Sequence, residues 1–422
     1  MANILTVQSL NDKITAAIQD ASNFIKESKD YCSPKGLFKK GSRSGTKAML
    51  YFDGRGEVQT TDDVEGQDAM DISNMNGDVK QYAVQLTVAN AKGKTTWDVV
   101  EEMFKAGNID EDFVKPTANA MAEDLIKKVI DNAYLRSTGV AISSFANPSF
   151  KALGAASASL RKMRVGMTLV GHMDTEVLTN LAALPVTAGN TFNAASDKLK
   201  ELYADAAIGT YNKVPYIDEP FMPAFTTGAN PGTVCKVNGE VTNDDRTDGA
   251  DTMDIKIDGI TGADVIKKGT VFAIAGVSRC TGAGTPLVGA PYHFVVQKDC
   301  AVSGGGATLK VLPVYFNDNT GYIPTVSVAS IPDNADITWI TGWNKTYSVG
   351  IVRAREALNW HPVEMLDIKG CENGKTTTPS MSVHTAFDGN IDNAQNKGRI
   401  DALFSGKIVD PRMVRTIYWE ME

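Results

Sequence analysis

The sequence predicts an α+β chain of several domains. Three observations carry that expectation: a long stretch of apolar residues at helical spacing after residue 110, strand-like alternation around it, and a glycine-punctuated run of short strands from about residue 230. With 422 residues and 43% hydrophobic content, the chain can fill two or three cores, since single domains usually run to about 100–200 residues. Charged residues make up 22% and the formal net charge is −8. No global positive field is available to hold a polyanion across a large face.

From Ser9 to Lys29, Leu10, Ile14, Ala17, Ile18, Ala21, Phe24 and Ile25 recur at steps of three and four, which predicts an amphipathic helix with Ser9 as its N-cap. This N-terminal region, 1–35, is expected to be an arm that packs on its own domain or reaches a neighbour. Residues 36–95 read as an extended hairpin arm, with strands KAMLYFD and QYAVQLTVANA around an acidic, glycine-containing middle from Gly54 to Asp78.

Residues 96–165 hold the strongest element. Val114, Ala118, Met121, Ala122, Leu125, Ile126, Val129, Ile130 and Ala133 share one face of a helix of roughly 25 residues. Asp110, Glu111 and Asp112 near its start and Arg136 near its end complement the dipole, Pro116 sits in its first turns, and Gly139 stops it. A helix around Phe150–Arg164 follows. Residues 166–229 read as mixed α/β: a buried strand at Met167–Val170, a helix from Asp174, another around Ala194–Ala207, then turns. Residues 230–335, with MDIKIDG, TVFAIAGV, YHFVVQKD and TLKVLPVYF between glycine and Asp/Asn turns, predict an all-β module inserted into the α/β region. In 336–422, helical and mixed patterns resume with SVGIVRAREALNW, and GRIDALFSGKIVDPRMVRTIYWEME reads as strand, turn and final strand.

The order of these segments resembles the major coat subunit of tailed-bacteriophage capsids, the Hong Kong ninety-seven fold, and the inserted β module brings it closest to the P-twenty-two-type coat proteins. The segments that carry the resemblance are AVQLTVANAKGKTTWDVVEEMFK, VKPTANAMAEDLIKKVIDNAY, AAIGTYNKVPYIDEP, IKKGTVFAIAGV, YSVGIVRAREALNW and GRIDALFSGKIVDPRMVRTIYW. The acidic 54–78 stretch departs from the pattern and blurs the ends of the hairpin arm.

The resemblance implies a non-catalytic icosahedral shell of hexamers and pentamers around double-stranded DNA, without cofactors. It implies assembly in the host bacterial cytoplasm with a scaffolding protein, a portal and a decoration protein as partners, and a place in the virion. DNA contact is expected to be weak and non-specific. The covalent lysine–asparagine cross-link of some members can be assigned to no position here.

One rival reading comes from MTLVGHMDTEV, residues 167–177. Its strand ending in His172-Met173-Asp174 resembles the first ligand motif of zinc aminoacylases and carboxypeptidases, with His172 on the metal and Asp174 behind it. That chemistry needs further ligands and a Glu base downstream, whereas the Glu-Glu pair, Glu101-Glu102, lies upstream. The plainer expectation is a strand end with Asp174 capping the next helix.

Cys32, Cys235, Cys280, Cys300 and Cys371 are odd in number and never form CxxC, so reduced thiols are expected. His361 reads as a turn residue and His293 as a strand residue. The glycine runs CTGAGTP and SGGGAT lack the phosphate-cradle spacings and read as turns. No run approaches about 18 apolar residues and MANILTVQSLNDK has no signal-peptide pattern, so neither a membrane span nor secretion by that route is expected. The candidate functional residues are charges: the basic set Lys35, Lys39, Lys40 and Arg43, matched by the acidic set Asp62, Asp63, Glu65 and Asp68, as contacts between identical copies.

Overall fold

The computed structural model describes residues 7–25, 47–52, 82–98, 115–163, 168–182, 210–232, 234–246, 250–282, 284–317, 323–390, 395–408 and 410–421. The long helix spans Lys115–Leu135. Pro116 is its second residue, where the missing N–H has no helical partner to lose. Ala118, Met121, Ala122, Leu125, Ile126, Val129, Ile130 and Ala133 are all buried, as the spacing predicts, while Val114 and Asp110–Asp112 lie outside the described residues.

The N-terminal helix runs from Val7 to Ala21, so Ser9 is inside it rather than at its cap. Its apolar face does not wait for a neighbour. Leu10, Ile14 and Ile18, with Phe24 and Ile25 just beyond, are buried in the same core as the long helix. The helix packs on that helix and on strands Glu372–Thr377 and Ser382–Asn390. Polar residues fix the docking: Gln8 Nε2 donates to the Lys375 carbonyl at 2.9 Å and its Oε1 accepts from Lys375 N at 2.9 Å, while Asn11 Nδ2 donates to Thr376 Oγ1 at 2.7 Å. Of the two alternatives the sequence left open, residues 7–25 take the packing on their own domain; residues 26–35 lie outside those described.

An antiparallel sheet lies beside the long helix, in the order Leu358–Val363, Gln395–Ile408, Ser382–Asn390, Glu372–Thr377, with Ala89–Asp98 also paired to Gln395–Ile408. The Ala89–Asp98 pairing runs from Ala89↔Phe404 to Asp98↔Gln395, so residues 89–95 belong to this sheet and not to a projecting arm. Just before it, Tyr82–Thr87 pairs antiparallel with Lys47–Phe52 as a separate two-stranded ribbon, the part of the expected hairpin that the described residues contain.

The central sheet is mixed and seven-stranded, in the order Val140–Ser144, Val414–Met421, Thr346–Ala354, Leu169–Asp174, Val214–Glu219, Thr210–Tyr211, with Ala224–Thr226 also on Thr346–Ala354. Helices Phe150–Met163 and Thr175–Ala182 flank it. SVGIVRAREALNW is not helical: Thr346–Ala354 is a strand buried from Tyr347 onward, followed by one 3₁₀ turn at Arg355–Ala357 and strand Leu358–Val363, which contains His361. A strand covered on both faces shows no alternation, which is why its pattern reads ambiguously. The segment expected to be turns forms a hairpin, Thr210–Tyr211 with Val214–Glu219, through Asn212 and Lys213 at φ of 50° and 59°. Two successive positive φ values make the tight reversal that matches strand twist. The predicted helix around Ala194–Ala207 lies outside the described residues.

The chain leaves the central sheet at Thr226 and re-enters it at Thr346. Between them lie a five-stranded sheet, in the order Val265–Ile266, Cys300–Ser303, Gly306–Val311, Met253–Asp258, Lys236–Val237, and a three-stranded sheet, Pro286–Val295, Val271–Cys280, Ile337–Trp339. Met253–Asp258 alternates buried and exposed positions strictly at first, the signature of one covered face. The two sheets share a core of their own, including Val237, Ile255, Phe272, Phe294 and Leu309. The fold is therefore α+β, a body with a long helix and two sheets, and a β module with a separate interior. Cys235, Cys280 and Cys300 are buried free thiols and Cys371 is a half-buried one.

Candidate functional site

All eight charges read as candidate contacts, Lys35, Lys39, Lys40, Arg43, Asp62, Asp63, Glu65 and Asp68, lie outside the described residues. The described residues instead bring together three charged arrangements.

The first surrounds His172. The residue is 1% exposed in strand Leu169–Asp174, its ring 4.6 Å from that of Phe24 and its Nε2 3.3 Å from Arg353 Nη2. Burial, then the adjacent guanidinium, hold its pKa well below the usual histidine value. A cation in hydrogen-bond range of the ring opposes a second, divalent one, so this neighbourhood is the reverse of a zinc site. Asp174 is occupied as well: its Oδ1 accepts from Glu176 N at 2.9 Å, capping helix Thr175–Ala182, and its Oδ2 accepts from Ser348 Oγ at 2.9 Å. Among the described residues, no group of three or more His, Cys, Asp or Glu side chains is placed to hold a metal ion.

On the neighbouring strand, Glu219 receives the end of the N-terminal segment. Its Oε2 accepts from Ser22 Oγ at 2.8 Å and from Phe24 N at 2.9 Å. Burial pushes its carboxyl pKa up, against the hydrogen bonds that stabilise the charged form.

The second arrangement joins the β module to the body at the C-terminal end of the long helix. Lys268 Nζ pairs with Asp131 at 2.7 Å, Gln297 Nε2 donates to the Leu135 carbonyl at 2.6 Å, and His293 N to the Thr138 carbonyl at 3.2 Å. His293 Nδ1 accepts from Val140 N at 3.0 Å, and burial followed by Arg279 and Arg415 lowers its pKa to about 4. Asp251, in the module, pairs with Arg136 and Lys407 of the body. Tyr418 in the central sheet donates to the Gly269 carbonyl at 3.2 Å. Gln297 caps a carbonyl that the helix end leaves unpaired, and the contacts together make the junction polar and specific.

The third is a groove of about 540 Å³ on the sheet beside the long helix, lined by the cations Lys92, Lys94, Lys397 and Arg399, the carboxylate Asp388, and smaller or apolar residues including Gly93, Gly398, Ala386, Ile368 and Cys371. Lys94 stands directly opposite Arg399 across the strands, an unfavourable like-charge pair. Arg399 is drawn to buried Asp401, its Nε 2.6 Å from the carboxylate. Four cations against one carboxylate give the groove a positive lining. Its sequence signal was K-x-K in ANAKGKTTWD and K-x-R in NKGRID, alternate positions on strands that only the fold makes neighbours.

No protein-family model and no curated protein matches the sequence. Among solved structures, the chain is similar to one from Gordonia phage Cozz at 9% identity, covering 94% of this chain and 87% of that one with a TM-score of 0.44. It is similar to the acid-stable capsid of Helicobacter pylori bacteriophage KHP30 at 9% identity, covering 90% and 87% with a TM-score of 0.42. It is also similar to the capsid of a native GTA particle at 7% identity, covering 94% and 91% with a TM-score of 0.43.

Proposed function

We propose that this chain is the major coat subunit of a tailed bacteriophage, a non-catalytic protein that assembles through copies of itself into an icosahedral shell of hexamers and pentamers. The observation that carries this reading is the ribbon of Lys47–Phe52 and Tyr82–Thr87, which joins neither sheet of the body by strand pairing and touches it through buried Leu86 and the Lys407 Nζ to Gln85 carbonyl bond at 2.8 Å. A two-stranded ribbon by itself is marginal in water and gains stability by lying on another surface. In a shell, that surface is the next subunit. The segment order, with the long helix between ribbon and central sheet and a chain return through Gln395–Ile408 and Val414–Met421, is the order the coat family resemblance implies.

In this reading, residues 230–335 are the inserted domain of a P-twenty-two-type coat protein. Lys35, Lys39, Lys40 and Arg43 of one copy meet Asp62, Asp63, Glu65 and Asp68 of the next. A scaffolding protein, a portal and a decoration protein are its partners in the host cytoplasm, and packaged double-stranded DNA touches the finished shell weakly, in keeping with the net charge of −8. Electron microscopy of the purified chain tests the core of the proposal. Shells or ring-shaped capsomers support it; a monodisperse monomer under crowding conditions, or a zinc-loaded one, defeats it. Charge reversal at Lys39 and Lys40 tests the contact, and assembly at the unaltered rate removes it from the proposal.

A further inference from the structure

We propose that the junction between the β module and the body binds one small oxyanion of the phosphate or sulfate class, held by Arg279 and Arg415. The two side chains come from different parts of the fold, Arg279 from module strand Val271–Cys280 and Arg415 from central strand Val414–Met421. They converge on one hydroxyl in helix Phe150–Met163. Arg279 Nη1 donates to Ser159 Oγ at 2.7 Å and Arg415 Nε donates to the same atom at 2.9 Å.

A serine hydroxyl has two lone pairs, and both are taken by these cations. Arg415 is 2% exposed, and its Nη1 is committed to Thr138 Oγ1 at 2.9 Å, the Arg412 carbonyl at 3.0 Å and the Val414 carbonyl. Its Nη2 is buried with no acceptor, and so is Arg279 Nε. Among the described residues neither guanidinium forms an ion pair with a carboxylate, although salt bridges stand nearby at Arg412–Asp410 and Arg136–Asp251.

The carboxylate that acts on Arg415 is Asp410, and its salt bridge is with Arg412, so two buried like charges share one neutral acceptor, an unfavourable arrangement. Burial and the neighbouring Arg279 both push the Arg415 pKa well down, while Arg279 is itself lowered by burial. The approach is also built in by the backbone. A Cβ at Gly139 would stand 2.6 Å from Arg279 Nη1 and 2.9 Å from Arg415 Cδ, so the absence of a side chain there lets the two cations meet. Remaining N–H donors of two guanidiniums match the oxygens of a tetrahedral anion, which neutralises both charges at once. Arg279 and Ser159 are half-buried and leave a way in, whereas Arg415 is too deep for a macromolecular partner. An anion there bridges module and body and stabilises their docked arrangement by mass action.

The test is equilibrium dialysis of the full chain against labelled inorganic phosphate, with ionic strength fixed by chloride, alongside urea unfolding over the same series. The wild type is expected to bind one phosphate per chain, with sulfate competing, and to unfold at rising urea as phosphate increases. Arg279→Gln should weaken binding at least tenfold and, without phosphate, unfold at the same or higher urea than the wild type, because one of two repelling charges is gone. Lys267→Gln, at an exposed ion pair 46% and 51% accessible, should bind like the wild type. No saturable binding by the wild type, or chloride competing as well as sulfate, overturns the proposal whatever the variants do. Equal loss in Lys267→Gln and Arg279→Gln overturns it too. If Arg279→Gln does not fold, Arg279→Met replaces it with the same expectation.

Discussion

The β module and the body bury different kinds of side chain. Between Val234 and Trp339, Thr270 is the buried polar residue among those described, and the interior is Val, Ile, Leu, Phe and Cys with Met253, Tyr292 and Ala307. The body buries His172, Glu219, Arg353, His384, Asp401, Lys407, Asp410 and Arg415 within its apolar core. Their contacts join segments far apart in sequence: Ser22 to Glu219, Asn90 to Asp401, His172 to Arg353. An apolar interior accepts many packings and carries its own stability, whereas buried polar groups stabilise only when each partner is present. The contrast assigns self-sufficiency to the module and a single, exacting arrangement to the body.

Four substitutions break or sharpen that contrast, taken from the largest expected effect. Phe272 is fully buried and stacks on Phe294 with centroids 5.2 Å apart; Phe272→Ala should cost about 3–5 kcal/mol. In urea unfolding followed by fluorescence of the full chain, that loss should fall on a module transition and spare the body. A body transition shifted equally would mean that the two interiors unfold as one.

Glu219→Ala leaves the Ser22 hydroxyl and the Phe24 N–H without their acceptor, and should cost about 1–3 kcal/mol. Glu219→Gln separates hydrogen bonding from charge. Because burial raises the folded carboxyl above its ordinary 4.5, the native state favours the protonated form, and this group's contribution to stability falls as pH rises from 4.5 through the raised value. Glu219→Gln should flatten that slope in a series of urea midpoints; an unchanged slope would show that Glu219 is not its source.

Lys213 holds φ of 59° in an exposed turn. Lys213→Gly should stabilise by about 0.5–1 kcal/mol, the left-handed strain relieved less the entropy of glycine, readable as a higher thermal midpoint. Last, Lys94→Glu turns the like-charge pair with Arg399 into an attractive one. It should gain about 0.2–1 kcal/mol in the same assay, with the gain fading in high salt.

What the sequence made legible follows from where the relevant physics acts. The long helix is local: eight apolar residues at three- and four-residue steps and a proline in the first turn specify it without reference to the rest of the chain. Met253–Asp258 alternates for the same reason. Thr346–Ala354 did not read as a strand because both its faces are covered and its arginine and serine are buried with the rest. The Asn212–Lys213 reversal lacks the glycine that usually marks two positive φ values.

The candidate sites were harder still. Ser159, Arg279 and Arg415 are separated by more than a hundred residues each, and Lys94 becomes a neighbour of Arg399 only through strand pairing. The docking of the N-terminal helix likewise depends on a strand at the other end of the chain, through Gln8 and Lys375. No spacing rule reaches across such distances.

The doorway of the β module has one more consequence. The departing and returning chains lie side by side: Thr226 pairs with Thr346, their hydroxyls 2.9 Å apart, and Thr227 N donates to the Lys345 carbonyl at 2.9 Å. A protein engineer can treat that pair as a socket. A short reverse turn would bridge Thr227 and Lys345 directly, and a foreign domain whose own ends lie close together would plug into the same place. The body would keep the strand pairing at that point, but Arg136, Lys407 and the Val140 N–H would lose their module partners Asp251 and His293, so any replacement domain has to supply matching groups at the junction.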